Sequence, residues 1–190
     1  MPHRLLGLVP DLESLPGLGG PALAAYAARG VTVTIACVGG PETAALRSRA
    51  LRLGIQALVL LDYRPVERES PDLAGLFSDL IRAVQPHVVV VCADDDAIRT
   101  AGTRGFDSAR RAGHGSGALP AKLYHRFRAG GSPATISTAI QVGRGPSAAA
   151  EGFQRVFPSP WVTGVLERDL FAGLTLPDPL PAGLDERLAS

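Results

Sequence analysis

Three short stretches of this chain carry side chains with the means to do chemistry. In LVPDLE (8–13) the carboxylate of Asp11 stands between Pro10 and Leu12, with Glu13 two places on. In CADDDAIR (92–99) the thiol of Cys92 precedes three consecutive carboxylates, Asp94, Asp95 and Asp96. In LYHRF (123–127) the imidazole of His125 lies between Tyr124 and Arg126. A carboxylate held against a water can serve as a general base. A carboxylate cluster suits a hard cation or a cationic substrate, and a cysteine with a distant histidine as base is a candidate nucleophile. The second and third stretches also have plainer readings, and these are favoured. Acidic residues opening a helix cap it and complement its dipole. A thiol that closes an apolar run belongs to the core. His125 reads as a strand residue paired locally.

Two other stretches look like binding loops and fall short. GLGGPALAAYAARG (17–30) lacks the G-x-G-x-x-G spacing and lies too far past the preceding apolar run for a tight phosphate turn. It reads as a flexible, glycine-rich lead into a helix. The run from Asp62 to Glu69 reads as a solvated loop, on the side of the molecule where loops often contact substrate.

The elements that must position these residues alternate along the chain. RLLGLV (4–9) predicts a first strand, and PALAAYAARG (21–30) a helix that stops at Gly30. VTVTIACV (31–38) predicts a second strand, TAALRSRALRLG (43–54) a second helix and IQALVLL (55–61) a third strand. A polar loop, YRPVERESP (63–71), leads into DLAGLFSDLIRAVQ (72–85), whose apolar positions recur at helical spacing. HVVVVC (87–92) is the clearest buried strand, and DDDAIRTAGTRGFDSARRAG (94–113) follows it as a helix. Beyond a Gly/Ser loop, AKLYHRF (121–127) and TISTAIQV (135–142) are strand-like. Four continuous apolar strands alternating with helices predict an α/β fold: a Rossmann-like three-layer sandwich with a mainly parallel central sheet. A single domain is expected over residues 1–190, with an irregular tail from about 175.

Composition excludes several classes. The 46% hydrophobic and 19% charged residues are a globular rather than a disordered balance. A formal charge of +1, with basic residues scattered and not interleaved with aromatics, argues against a nucleic-acid partner. No run reaches the length of a membrane span or a signal-peptide core, so no membrane role is expected. The two cysteines, Cys37 and Cys92, read as buried reduced thiols, which points to the cytoplasm.

The order of these pieces resembles the LmbE/PIG-L family of zinc-dependent N-deacetylases. The resemblance runs from about Arg4 to Leu174. It rests on RLLGLVPDLES, GLGGPALAAYAARGVTVTIACVGGPE, LDYRP, LIRAVQPHVVVV, AIRTAGTRGF, PAKLYH and ERDLFAGL, whose shared order is more specific than any one of them. Family members carry Ala-His-Pro-Asp-Asp-Glu after the first strand, with the histidine and second aspartate as zinc ligands and the first aspartate as general base. That motif falls on Leu8, Val9, Pro10, Asp11, Leu12 and Glu13. The resemblance therefore puts Asp11 at the general-base position and apolar Val9 and Leu12 at two ligand positions. A second motif, His-Pro-Asp-His, falls on Cys92, Ala93, Asp94 and Asp95, so the third ligand position holds Asp95 and the intermediate-stabilising position holds Cys92. Phe153 or a neighbour stands where many members have a further histidine. None of His3, His87, His114 and His125 falls on a ligand position.

A catalytic zinc takes three protein ligands plus a water whose pKa it lowers. Val9 and Leu12 have no lone pairs to give, so neither zinc nor any other cofactor is expected, and family deacetylation is not. The reading is a relative that has lost the family zinc site and binds a small polar or sugar-like ligand or a partner chain, with self-association into a homo-oligomer left open. The alternative is a hydrolase, a de-N-acetylase of an N-acetylated sugar conjugate, with a divalent cation on rebuilt carboxylates. The pocket candidates are Val9, Leu12, Glu13, Cys92, Asp94 and Asp95. The first strand should lie between the second and fourth, so that Asp11 and Asp94 open on one edge of the sheet. That edge should hold either an acid-walled pocket or a loop collapsed onto its own leucines.

Overall fold

The computed structural model describes residues 3–40, 43–63, 70–112, 120–126, 138–142, 149–157, 169–172 and 174. In chain order the elements are β1 (Arg4–Val9), a 3₁₀ helix (Leu12–Leu18), α1 (Gly20–Ala28), β2 (Thr32–Cys37), α2 (Ala44–Arg52) and β3 (Ala57–Leu60). They continue with α3 (Pro71–Val84), β4 (Val88–Cys92), α4 (Asp96–Ala112), β5 (Lys122–Arg126), β6 (Thr138–Val142) and β7 (Ala149–Phe157). The middle of the 63–71 loop, the Gly/Ser loop with His114, and the tail from 175 lie outside the described residues.

The seven strands form one sheet in the order β3-β2-β1-β4-β5-β7-β6. The first five run parallel, and β7 and β6 close the sheet antiparallel. As expected, β1 lies between β2 and β4, with Leu8 level with Ala36 on one side and Val91 on the other. Strands that read as unbroken apolar runs do so because both faces are covered. One face carries the 3₁₀ helix, α1 and α2 over Val9, Cys37, Val90 and Tyr124. The other carries α3 and α4 over Leu8, Val38, Val91 and Leu123. Helices α3 and α4 meet at Gly105, where a Cβ would come 2.7 Å from that of Phe77.

Two elements depart from the sequence reading. TISTAIQV supplies β6, but its neighbour is β7, which lies between it and β5. No alternation in AAEGFQRVF marks β7 as a strand. The chain between β1 and α1, for which no element is predicted, is a 3₁₀ helix that runs into the start of the glycine-rich lead. Leu12, Leu15 and Leu18 recur every three residues, the period of that helix, and all three are buried. Gly19, at φ 92°, ends it with its N–H on Pro16 O.

A distant segment closes the bottom of the α1 face. Tyr26 Oη donates to Asp169 Oδ1 at 3.0 Å and accepts from Leu170 N at 2.8 Å. Tyr124 Oη donates to Leu170 O, and the only lysine, Lys122, donates to Ala172 O. No described helix is long and apolar enough to cross a membrane.

Candidate functional site

Parallel strands deliver their carboxyl ends to one edge, and ligands of open α/β sheets bind there. Here β1 ends at Val9, level with Cys37 of β2, and β4 ends at Cys92, level with Arg126 of β5. The Asp11 and Asp94 segments leave the sheet on this shared edge, as the topology requires.

The side chains at the edge are committed to structure. Val9 is wholly buried beneath the 3₁₀ helix, and Leu12, the first residue of that helix, is 3% exposed and turned into the same core. This overlay is tight because position 7 of β1 is glycine. A Cβ there would lie 2.5 Å from Leu18 Cδ2 and 2.6 Å from Ile35 Cδ1. Asp11 is the N-cap: its Oδ1 accepts from Ser14 N at 2.8 Å and from Ser14 Oγ at 2.7 Å. The loop after β2 lies against it, with Gly39 N donating to Pro10 O at 3.0 Å. Gly40, at φ 95°, is held so close that a Cβ would come 2.9 Å from that of Asp11. Asp95 caps α4 in the same way, its Oδ1 accepting from Ile98 N at 3.0 Å. Asp96 pairs with Arg99 at 2.7 Å on the surface, and Glu13 and Asp94 are exposed. The favoured capping reading of the acidic run therefore holds.

Cys92 and His125 do not form a nucleophile and base, and the favoured reading of a core thiol and a locally paired histidine describes them. Cys92 faces the 3₁₀-helix side with Cys37, both buried and neither in a disulfide. His125, level with Val91, faces α4, where its Nε2 lies 3.0 Å from Thr103 Oγ1. Alternation across the pleat separates the two residues to opposite faces. Thr103 spends its single hydroxyl proton on Arg99 O at 2.8 Å, so it accepts from His125, and Nε2 carries the proton. Burial, helped by Arg99, lowers the His125 pKa to about 4, so the ring is neutral at pH 7.

β5 and β7 also carry cations that the sequence reading passed over. The Arg126 guanidinium stands 5.4 Å over the ring of buried Phe153. Antiparallel pairing sets Arg155 of β7 level with Tyr124, whose face Arg126 shares. Arg126 and Arg155 therefore share the Tyr124 face of β5 and β7. The period of two in LYHRF was enough to set Arg126 opposite in direction to His125.

Among the described residues no group of three or more His, Cys, Asp or Glu side chains is arranged to hold a metal ion. The positions that the LmbE/PIG-L resemblance assigns to zinc offer two hydrocarbon side chains and one carboxylate engaged as a cap. These residues do not fit zinc. Nor do Asp11, Asp94 and Asp95 form a rebuilt carboxylate site.

The sequence matches no family model and no curated protein. The structure is similar to that of N,N'-diacetylchitobiose deacetylase from Pyrococcus horikoshii, with a TM-score of 0.59 at 13% identity over 83% of this chain and 87% of that one. It is similar to GalB, the 4-carboxy-2-hydroxymuconate hydratase from Pseudomonas putida, with a TM-score of 0.60 at 16% identity over 83% and 98% of the two chains. A conserved protein from Thermus thermophilus gives 0.61 at 16% identity over 73% and 71%. At these identities what is shared is the fold.

Proposed function

We propose that this chain, built on the fold of the LmbE/PIG-L-type deacetylases, is a non-catalytic binding protein without the zinc site of that family. One observation carries the reading: Val9 and Leu12, at the two ligand positions of the first motif, are core side chains, Val9 beneath the 3₁₀ helix and Leu12 part of that helix's buried face. Asp11, at the general-base position, supports it further, because its Oδ1 accepts two hydrogen bonds from Ser14 as a helix cap. A base without an activated water contributes only roughly 10²–10⁴-fold, far short of what amide hydrolysis needs. The fold itself does not choose a reaction, since a deacetylase and a hydratase share it. The role that remains is to hold a small polar or sugar-like ligand, or a partner, in the cytoplasm without a cofactor.

Elemental analysis of the purified protein tests this. The natural chain should carry no stoichiometric zinc, and Val9→His, Leu12→Asp and Asp95→His together should create zinc affinity. A full equivalent of zinc retained by the natural protein through dialysis would overturn the reading. Ligand binding is tested by a thermal-shift screen of amino sugars, polyamines and divalent cations on the natural protein and on Asp11→Asn. Asparagine keeps the cap while removing the charge, so stabilisation lost in that variant locates binding at this edge.

A further inference from the structure

The flank of the sheet away from β6 ends in a strand that no described residue pairs with on its outer side. β3 (Ala57–Leu60) pairs with β2 on one side only, and among the described residues nothing pairs with its outer edge. Its sequence, ALVL, has no charge and no proline, and its register with β2 is unbroken. Natural edge strands usually carry such devices, because a flat apolar edge invites another strand. The large hydrophobic side chains exposed among the described residues are Leu60, at 41%, and Leu51 of α2, at 65%. Both belong to this flank.

Their placement is self-complementary. β2 and β3 are parallel, so α2 runs back between them, and its last residues, Leu51 and Arg52, lie at the start of β3. Leu60 and Asp62 lie at the other end. Leu58 packs against the same core cluster as Leu46 and Ala50 of α2, so Leu60, of the same parity, shares the α2 face. An antiparallel two-fold contact between two β3 edges would bring the Leu60–Asp62 end of each copy to the Leu51–Arg52 end of the other. Exposed leucine then meets exposed leucine, and the acid of one copy meets a base of the other. The charge match is real at the level of the helix, for α2 carries Arg47, Arg49 and Arg52 and no carboxylate. A two-fold contact also closes on itself and stops at a dimer.

We propose that the β3 edge, with the flank of α2, is the interface of a homodimer in which the two sheets join through antiparallel β3 strands. Leu60 lies two strands across the sheet from Val9, level with Cys37 between them, and none of Val9, Asp11 and Asp95 is part of the proposed contact, so the proposal stands or falls apart from the proposed function.

Light scattering during size-exclusion chromatography of the full chain, with sedimentation equilibrium for the dissociation constant, tests it. The natural chain should be a dimer at micromolar concentration. Leu60→Lys and Leu51→Glu, both at exposed positions, should each weaken it about tenfold or more, with an unchanged circular dichroism spectrum. Arg52→Ala and Asp62→Asn should each weaken it several-fold. The double variant should be no weaker than the worse single, because both remove one interaction. A natural chain that stays monomeric at the highest soluble concentration overturns the proposal, whether the edge is covered by the chain's own remaining residues or by a different partner. An oligomer indifferent to Leu60→Lys and Leu51→Glu overturns it equally.

Discussion

His125 shows how burial fixes the chemistry of a single residue. Its ring donates through Nε2 to Thr103 and is held neutral, with a pKa of about 4 against an ordinary 6.5. The folded state therefore refuses a proton that the unfolded chain accepts. Stability should fall as pH drops from about 6.5 to about 4 and level off below. The full effect of such a shift is on the order of 3 kcal/mol. Denaturant melts of the natural chain and His125→Gln across this range should diverge, the variant losing less stability than the natural chain on acidification. His87 is shifted in the same direction by burial, then by His3 and Arg4, and its contribution cancels in that difference. Parallel curves would mean that His125 is solvated.

Among the elements, the 3₁₀ helix decides what the candidate edge has become. Its three leucines seal the end of β1, and its start depends on one carboxylate. Asp11→Ala should cost about 1 kcal/mol, the worth of an N-cap, while Asp11→Asn should cost little. Urea denaturation of both variants checks this. An Ala variant as stable as the natural chain would show that Asp11 is not held as a cap and would reopen its role at the edge.

The whole molecule is tied together across great sequence separations. Tyr26 reaches Asp169 across 143 residues and also holds Leu170, and burial, the largest cause, pushes its hydroxyl well above the ordinary tyrosine range. Removing the hydroxyl strands a buried N–H, which costs about 1–3 kcal/mol. Tyr26→Phe should therefore speed amide hydrogen exchange in residues 169–172 while leaving β1 and β4 protected. Unchanged exchange in that segment would show that the stacking of Phe171 on His3 suffices to hold it.

Much of this protein was determined locally and could be read without a structure. β-branched runs such as HVVVVC and the helical spacing of Leu73, Phe77 and Ile81 set strand and helix, because period and propensity act over neighbouring residues. The strand order of β2, β1 and β4 followed from the handedness of crossovers. That Val9 and Leu12 have no lone pairs is a property of the side chains alone. What tertiary structure decided was the use of groups that can serve more than one end. Asp11 could be base or cap, and only the position of Ser14 and the seat offered by Gly7 make it a cap. β7 could be recognised only by its partners, because its residues do not alternate cleanly and its hydrogen bonds join it to β5 and β6. The docking of Leu170 and Phe171 on Tyr26, Tyr124 and His3 likewise has no local signal, since contacts between residues far apart in the chain arise only when the sheet has brought them together.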